Sequence, residues 1–209
     1  MVGTSLVVTN LKDVRVLRLE AEDGYPRLER AVLCGIEKEI GRLARDAAVR
    51  GAVITGTAQA FAAGAEIEAI TALRGDQGFE FSRLGQAVFR GIERSPKPVI
   101  AAIRGYCMGG GLDLALACRA RIAAKDAVFG HPGGAIGIIT GWGGTQRLTR
   151  LIGRGRAIEM FTTGARLNAD DAFASGLVSR VVTAGELLAA AVLTLWAMAD
   201  QRAHANEPF

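Results

Sequence analysis

Apolar and polar residues alternate through VRVLRLE (14–20), the period of a half-buried β-strand. The period then changes. In RLERAVLCGIEKEIGRLARD (27–46), Leu28, Val32, Ile36, Ile40 and Leu43 fall on one helical face. GAVITG (51–56) and KPVIAAIRG (97–105) are short and continuously apolar, which predicts strands buried on both faces. Between them, TAQAFAAGAEIEAI (57–70) reads as a loop and GFEFSRLGQAVFRGIERSP (78–96) as a second amphipathic helix. GYCMGGGLDLALAC (105–118) predicts a strand-to-helix corner, with Leu112 to Cys118 as a short buried helix. ARIAAKDAVFGHP (120–132) predicts two short strands, and GGTQRLTRLIGRGRAIEMFTTG (143–164) two helices in succession. NADDAFASGLVSRVV (168–182) predicts a helix that Asn168 caps and Gly176 closes, followed by a strand.

One unit recurs: a buried strand enters a glycine-containing loop that opens a helix, near Gly64, Gly110 and Gly144. These glycines are 46 and 34 residues apart, which suggests stacked strand–helix turns rather than one open sheet. A dinucleotide fold is the competitor. However, GYCMGGG is not G-x-G-x-x-G, and the helix after it is too short for an ordinary crossover. The glycines 109–111 predict bare backbone N–H groups at a helix N-terminus, a site for negative charge.

Composition narrows the function classes. Half of the 209 residues are hydrophobic, enough for one sizeable core. The net charge of +4 is carried by scattered Lys and Arg, and aromatics are only 6%. That argues against nucleic-acid binding and suits a phosphate-bearing small ligand. Cys34, Cys107 and Cys118 lie in apolar runs without metal-ligand spacing, so buried, reduced thiols and no metal site are expected. No basic–apolar leader is visible, and no apolar run approaches a membrane span; Leu187 to Ala199 is the longest and is too short. A cytoplasmic protein is expected. Ser82, Ser95, Ser175 and Ser179 do not sit at a glycine elbow, which argues against a serine peptidase.

Four segments in order, AFAAGAEIEAI (60–70), PKPVIAAIRGYCMGGGLDLALACRARIAA (96–124), FGHP (129–132) and GWGGTQRLTRLIG (141–153), resemble the crotonase, or enoyl-CoA hydratase/isomerase, superfamily. TTGARLNADDAFASGLVSRVV (162–182) also resembles its later part, so the likeness runs from about Val14 to Ala197. The resemblance implies an α/β spiral of repeated ββα units. Residues 1–184 would form the spiral and 185–209 a C-terminal helix and tail, with the family's usual C-terminal helical segment mostly absent and the acyl pocket left open. It implies fatty-acyl chemistry on an acyl-CoA or enoyl-CoA ligand, coenzyme A entering as part of the substrate and no cofactor being held permanently. It implies a homo-oligomer, a trimer or dimer of trimers, with no nucleic-acid or membrane partner. The family's two oxyanion-hole amides map to Ala65 and Gly110. Ala63, Gly64, Glu66, Ile67, Gly109, Gly133 and Arg27 map to the surrounding substrate site.

The sequence departs from the family where protons are moved. The usual first glutamate is Asp113, and the second, directly after the proline of FGHP, is Gly133. Asp113 is either a base or water-orienting carboxylate, or a helix-start charge favoured by the dipole alone. His131 shares a face with position 133 if the segment is extended. It is either a substitute for the lost carboxylate or a hydrogen-bonded structural residue. Arg27 and Arg30 either meet the coenzyme A diphosphate or form a solvated helix face. Two functions therefore stand: an enolate-stabilising enzyme with reduced or altered hydratase/isomerase chemistry, and a non-catalytic acyl-CoA-binding or accessory subunit.

Overall fold

The continuously apolar runs become the strands of a buried, largely parallel sheet. In a computed structural model, which describes residues 3–205, the chain opens with an antiparallel pair, β1 (Thr4–Leu11) and β2 (Val14–Ala21), and the helix α1 (Arg30–Leu43). The first spiral turn is β3 (Gly51–Thr55), β4 (Ala60–Ala62), α2 (Ile67–Ala72) and α3 (Asp76–Glu93). The second is β5 (Val99–Ile103), β6 (Tyr106–Met108) and α4 (Gly110–Ala117). The third is β7 (Ala120–Ala124), β8 (Val128–Gly130), a 3-10 turn (Pro132–Ile136), α5 (Gly144–Ile152) and α6 (Arg154–Thr163). The chain continues through β9 (Arg166–Asn168), α7 (Ala169–Ala174), β10 (Arg180–Val182) and α8 (Leu187–Ala205).

Each turn gives one strand to each of two sheets. The larger has the order β1-β2-β3-β5-β7-β10 and the smaller β4-β6-β8-β9. β2, β3, β5, β7 and β10 pair in parallel, as do β4, β6 and β8; β9 closes the smaller sheet antiparallel to β8. This is the expected spiral.

The two-residue side-chain period of the strands sorts the core into two layers. Val53, Ile100, Ala102, Ile122 and Ala124 face Leu187, Ala191 and Leu195 of α8. Ala52, Ile54, Ala101, Ile103 and Ala123 face the other way, into a larger cluster with Val32, Leu33 and Ile36 of α1 and Phe89 of α3. Covering on both faces is why these strands read as unbroken apolar runs.

Four differences from the sequence expectation have local causes. β1 is mostly exposed and carries no apolar alternation to announce it. β4, β6 and β9 are three residues each, too short to show a period. α1 begins at Arg30 rather than Arg27, because Pro26 to Leu28 pairs with Ala63 and Gly64: the Ala63 amide donates to Pro26 O (2.8 Å) and the Leu28 amide to Gly64 O (2.8 Å). Cys34 is exposed on α1, whereas Cys107 and Cys118 are buried; burial raises Cys107 well above the usual thiol range and Cys118 to about 12. As expected, Asn168 caps α7 through its side chain, accepting from the Asp171 amide at 2.8 Å.

Candidate functional site

The loops after β4 and β6 meet at the N-terminal ends of α2 and α4, and there the three consecutive glycines separate by function. Gly109 has φ +52°, and a Cβ on it would stand in open space. Gly110 has no left-handed backbone; a Cβ there would run into the indole of Trp142. A Cβ on Gly111 would run into the backbone carbonyl of Ala62. One glycine sets a turn, one admits a ring, and one lets two backbones touch.

Gly64, φ +97°, brings the other loop alongside: a Cβ on it would lie 3.2 Å from the Gly110 amide nitrogen. The Ala63 amide and the Gly64 carbonyl are consumed by Pro26 and Leu28. Among the described residues, the amides of Ala65 and Gly110 donate to nothing. Two unpaired N–H groups thus stand at one corner, one of them at the start of α4, where the helix dipole is positive.

One turn along α4 lies Asp113, wholly buried. Its carboxylate is held by the segment that leads into α5. The Thr140 hydroxyl donates to Oδ2, and Oδ1 is pressed so closely against Gly144, the first residue of α5, that a Cβ there would overlap it. Burial raises Asp113 from the usual 3.8 to about 6; the Thr140 hydroxyl, the Gly144 and Trp142 amides and the Arg147 guanidinium pull the other way. Those amides favour the charge, although neither forms a well-made hydrogen bond, and Oδ1 has no such partner among the described residues.

His131 is also buried, its ring tilted on Phe161 at 4.8 Å and its Nε2 3.5 Å from Asp113 Oδ1. Burial lowers it from 6.5 to about 4. The distance would suit an ion pair, but both shifts favour the neutral forms. Between about pH 4 and 6 the proton rests on Asp113, and near neutrality the pair is a carboxylate beside an uncharged imidazole.

The structure does not bring position 133 to this pair as an open vacancy. The segment is not extended there: Pro132 starts the 3-10 turn, and the Ile138 amide donates to Gly133 O at 2.9 Å. A Cβ on Gly133 would lie 2.5 Å from the Ile138 carbonyl oxygen, and one on Gly134 the same distance from that of Phe161. A glutamate at 133 therefore has no room unless the loop moves. The shared face expected for His131 and position 133 is lost for this reason; His131 points inward instead.

A cleft of about 900 Å3 begins at Glu66, next to Ala65, and runs between α1, α2 and α3 past Leu28, Ala31, Leu73 and Gln77 to Phe81. It stops short of Asp113. Ile67 is half exposed beside its mouth. Arg27 is tied to Asp23 (2.8 Å) and the Tyr25 carbonyl (2.9 Å), whereas Arg30 is exposed at the cleft.

Trp142 packs behind Phe81, the residue at the inner end of that cleft. Its ring fills a slot between Gly85 of α3 and Gly110 of α4, and a Cβ on either glycine would overlap it. Phe81 and Phe89 stand edge-on to it at 5.2 and 5.6 Å, and its Nε1 donates to Phe81 O at 3.3 Å. Thr140, Trp142 and Gly144 are site residues that the sequence reading missed. The signal available was that GWGGTQRL starts a helix at a glycine pair, which leaves amides for some buried acid to satisfy.

Residues 30–207 match the sequence model of the enoyl-CoA hydratase/isomerase family. The chain is 41% identical over 189 residues to a crotonyl-CoA hydratase of Syntrophomonas wolfei, a match spanning 90% of this chain and 73% of that protein. The chain belongs to the enoyl-CoA hydratase/isomerase family. A short-chain-enoyl-CoA hydratase of Clostridium acetobutylicum is 38% identical over 176 residues, 84% of this chain and 67% of its own. The crystal structure of an enoyl-CoA hydratase from Bacillus anthracis superposes with a TM-score of 0.85 at 35% identity, covering 95% of this chain and 76% of that one. Pseudomonas aeruginosa DspI superposes with a TM-score of 0.88 at 33% identity, covering 93% and 74%. Enoyl-CoA hydratase/isomerase family members act on coenzyme A thioesters. Among the described residues no helix is long and apolar enough to cross a membrane.

Proposed function

We propose that this chain binds an enoyl- or acyl-CoA thioester at the Gly64–Gly110 corner and stabilises its enolate through the amides of Ala65 and Gly110. The observation that carries this reading is the pairing of two otherwise unused amides at one point, beside an unobstructed Gly109. Donors fixed where negative charge develops supply the largest catalytic term in many enzymes. Asp113 is the proton-handling group. It lies one helical turn from Gly110, and burial brings its acidity close to neutral pH, where general acid–base transfer is efficient. Thr140 orients it, and the His131 ring stands 3.5 Å from its Oδ1. With no side chain at 133, hydration proceeds with one carboxylate instead of two, and the chemistry is reduced or altered accordingly. Arg30, exposed at the cleft, is the cation available to the coenzyme A diphosphate; Arg27 is occupied by Asp23.

A second reading, a non-catalytic acyl-CoA-binding or accessory subunit, is favoured by one observation: Asp113 is fully buried and does not line the cleft. Calorimetry and turnover separate the two. Acetyl-CoA is expected to bind with micromolar affinity and acetate not at all, because the nucleotide limb supplies most contacts. No heat with either at high protein concentration contradicts both readings. Binding of crotonyl-CoA with no conversion to the hydroxyacyl product leaves the accessory reading.

A further inference from the structure

We infer that Trp142 is the end wall of the acyl site and restricts it to short acyl groups. This rests on the oxyanion assignment above. A thioester oxygen between the amides of Ala65 and Gly110 places the acyl carbons against Gly110, and the surface next to the Gly110 Cα is the six-membered ring of Trp142. The ring has nowhere to withdraw. Gly85 backs it so closely that not even a methyl group fits between them, Phe81 and Phe89 hold its edges, and its Nε1 is tied to the Phe81 carbonyl.

Phe81 and the indole packed behind it stand between two clefts. On one side lies the cleft that ends at Phe81. On the other, a separate cleft of about 510 Å3 opens between α3 and α5, lined by Ser82, Gln86, Thr140, Trp142 and Arg147. A long acyl chain needs a continuous apolar channel. Here it meets Phe81 and the indole, with a polar, arginine-bearing cleft behind them.

The test is the acyl-length profile of binding, measured by calorimetry with acetyl-, butyryl- and decanoyl-CoA. The parent protein is expected to bind butyryl-CoA at least ~10-fold more tightly than decanoyl-CoA, the order of discrimination a closed apolar pocket gives. Trp142→Ala is expected to remove that preference, mainly by tightening decanoyl-CoA relative to butyryl-CoA. Because the indole is part of the core, Trp142→Leu is measured as well; it keeps an apolar filler and is expected to shift the ratio in the same direction by less. A parent that binds acetyl-CoA but takes decanoyl-CoA as tightly as butyryl-CoA overturns the end wall and spares the thioester site. So does an unchanged ratio in a folded Trp142→Leu. A parent that binds none of the three overturns both.

Discussion

Asp113→Asn is expected to lower crotonyl-CoA hydration by ~10²–10⁴-fold, the usual contribution of a general acid–base group, while leaving acetyl-CoA binding nearly unchanged. The substitution keeps size and the Thr140 contact but removes the charge. A base acts from its carboxylate form, so the parent rate should rise with pH through about 6, where burial has placed Asp113, and level off above it. Rates followed by loss of enoyl absorbance from about pH 5 to 8 give both results. Stability supplies an independent check on the same group. Asp113 is raised in the folded state, so its contribution is fully favourable below its unfolded value near 3.8 and is lost as pH rises through about 6. The stability difference between variant and parent should therefore move in favour of the variant by up to about 3 kcal/mol from pH 4 to 7. Unchanged turnover together with that stability shift would make Asp113 a buried cap on α5 and nothing more.

Valine at position 110 is expected to have the second large effect, for a reason the structure revises. The backbone at Gly110 is ordinary, so strain from a left-handed φ does not apply. The added Cβ instead collides with Trp142, which Gly85 prevents from moving back. Either the ring leaves its slot or the first turn of α4 shifts and takes the Gly110 amide with it. Overpacking of this kind costs about 1–3 kcal/mol, and loss of one aligned donor lowers turnover ~10²–10³-fold. Thermal melts and acetyl-CoA titrations of Gly110→Val and of Gly110→Val/Trp142→Ala check this. The double variant should recover the stability of Trp142→Ala alone, since the collision is gone. A single variant that folds normally and binds thioesters like the parent would show that the corner is not the site.

These two residues also mark how far the sequence could be read. The glycine loops at Gly64 and Gly110 were legible because loops that open helices recur along the chain, which announced stacked strand–helix turns; their pairing at one corner, and the ββα spiral, followed only from the family resemblance. The helical faces of α1 and α3 and the two-sided burial of β3 and β5 were equally plain, since periodicity is a local property. What stayed hidden depends on contacts between distant segments. Nothing local says that Asp113, in the first turn of α4, serves the N-terminus of α5, or that Trp142 fits between glycines 57 and 32 residues upstream of it. Gly133 was read as a lost carboxylate; that the carbonyl of Ile138 lies where its side chain would begin was not legible. Cys34, in an apolar-looking run, emerged exposed because α1 turns that position outward.

The most direct measurement is a crystal structure of the protein with a non-hydrolysable crotonyl-CoA analogue. The expected structure has the carbonyl oxygen about 2.7–3.1 Å from the amide nitrogens of both Ala65 and Gly110, with the acyl end against Trp142. An analogue bound with its carbonyl away from both amides, or with its acyl chain running out past Arg27 to solvent, would contradict it.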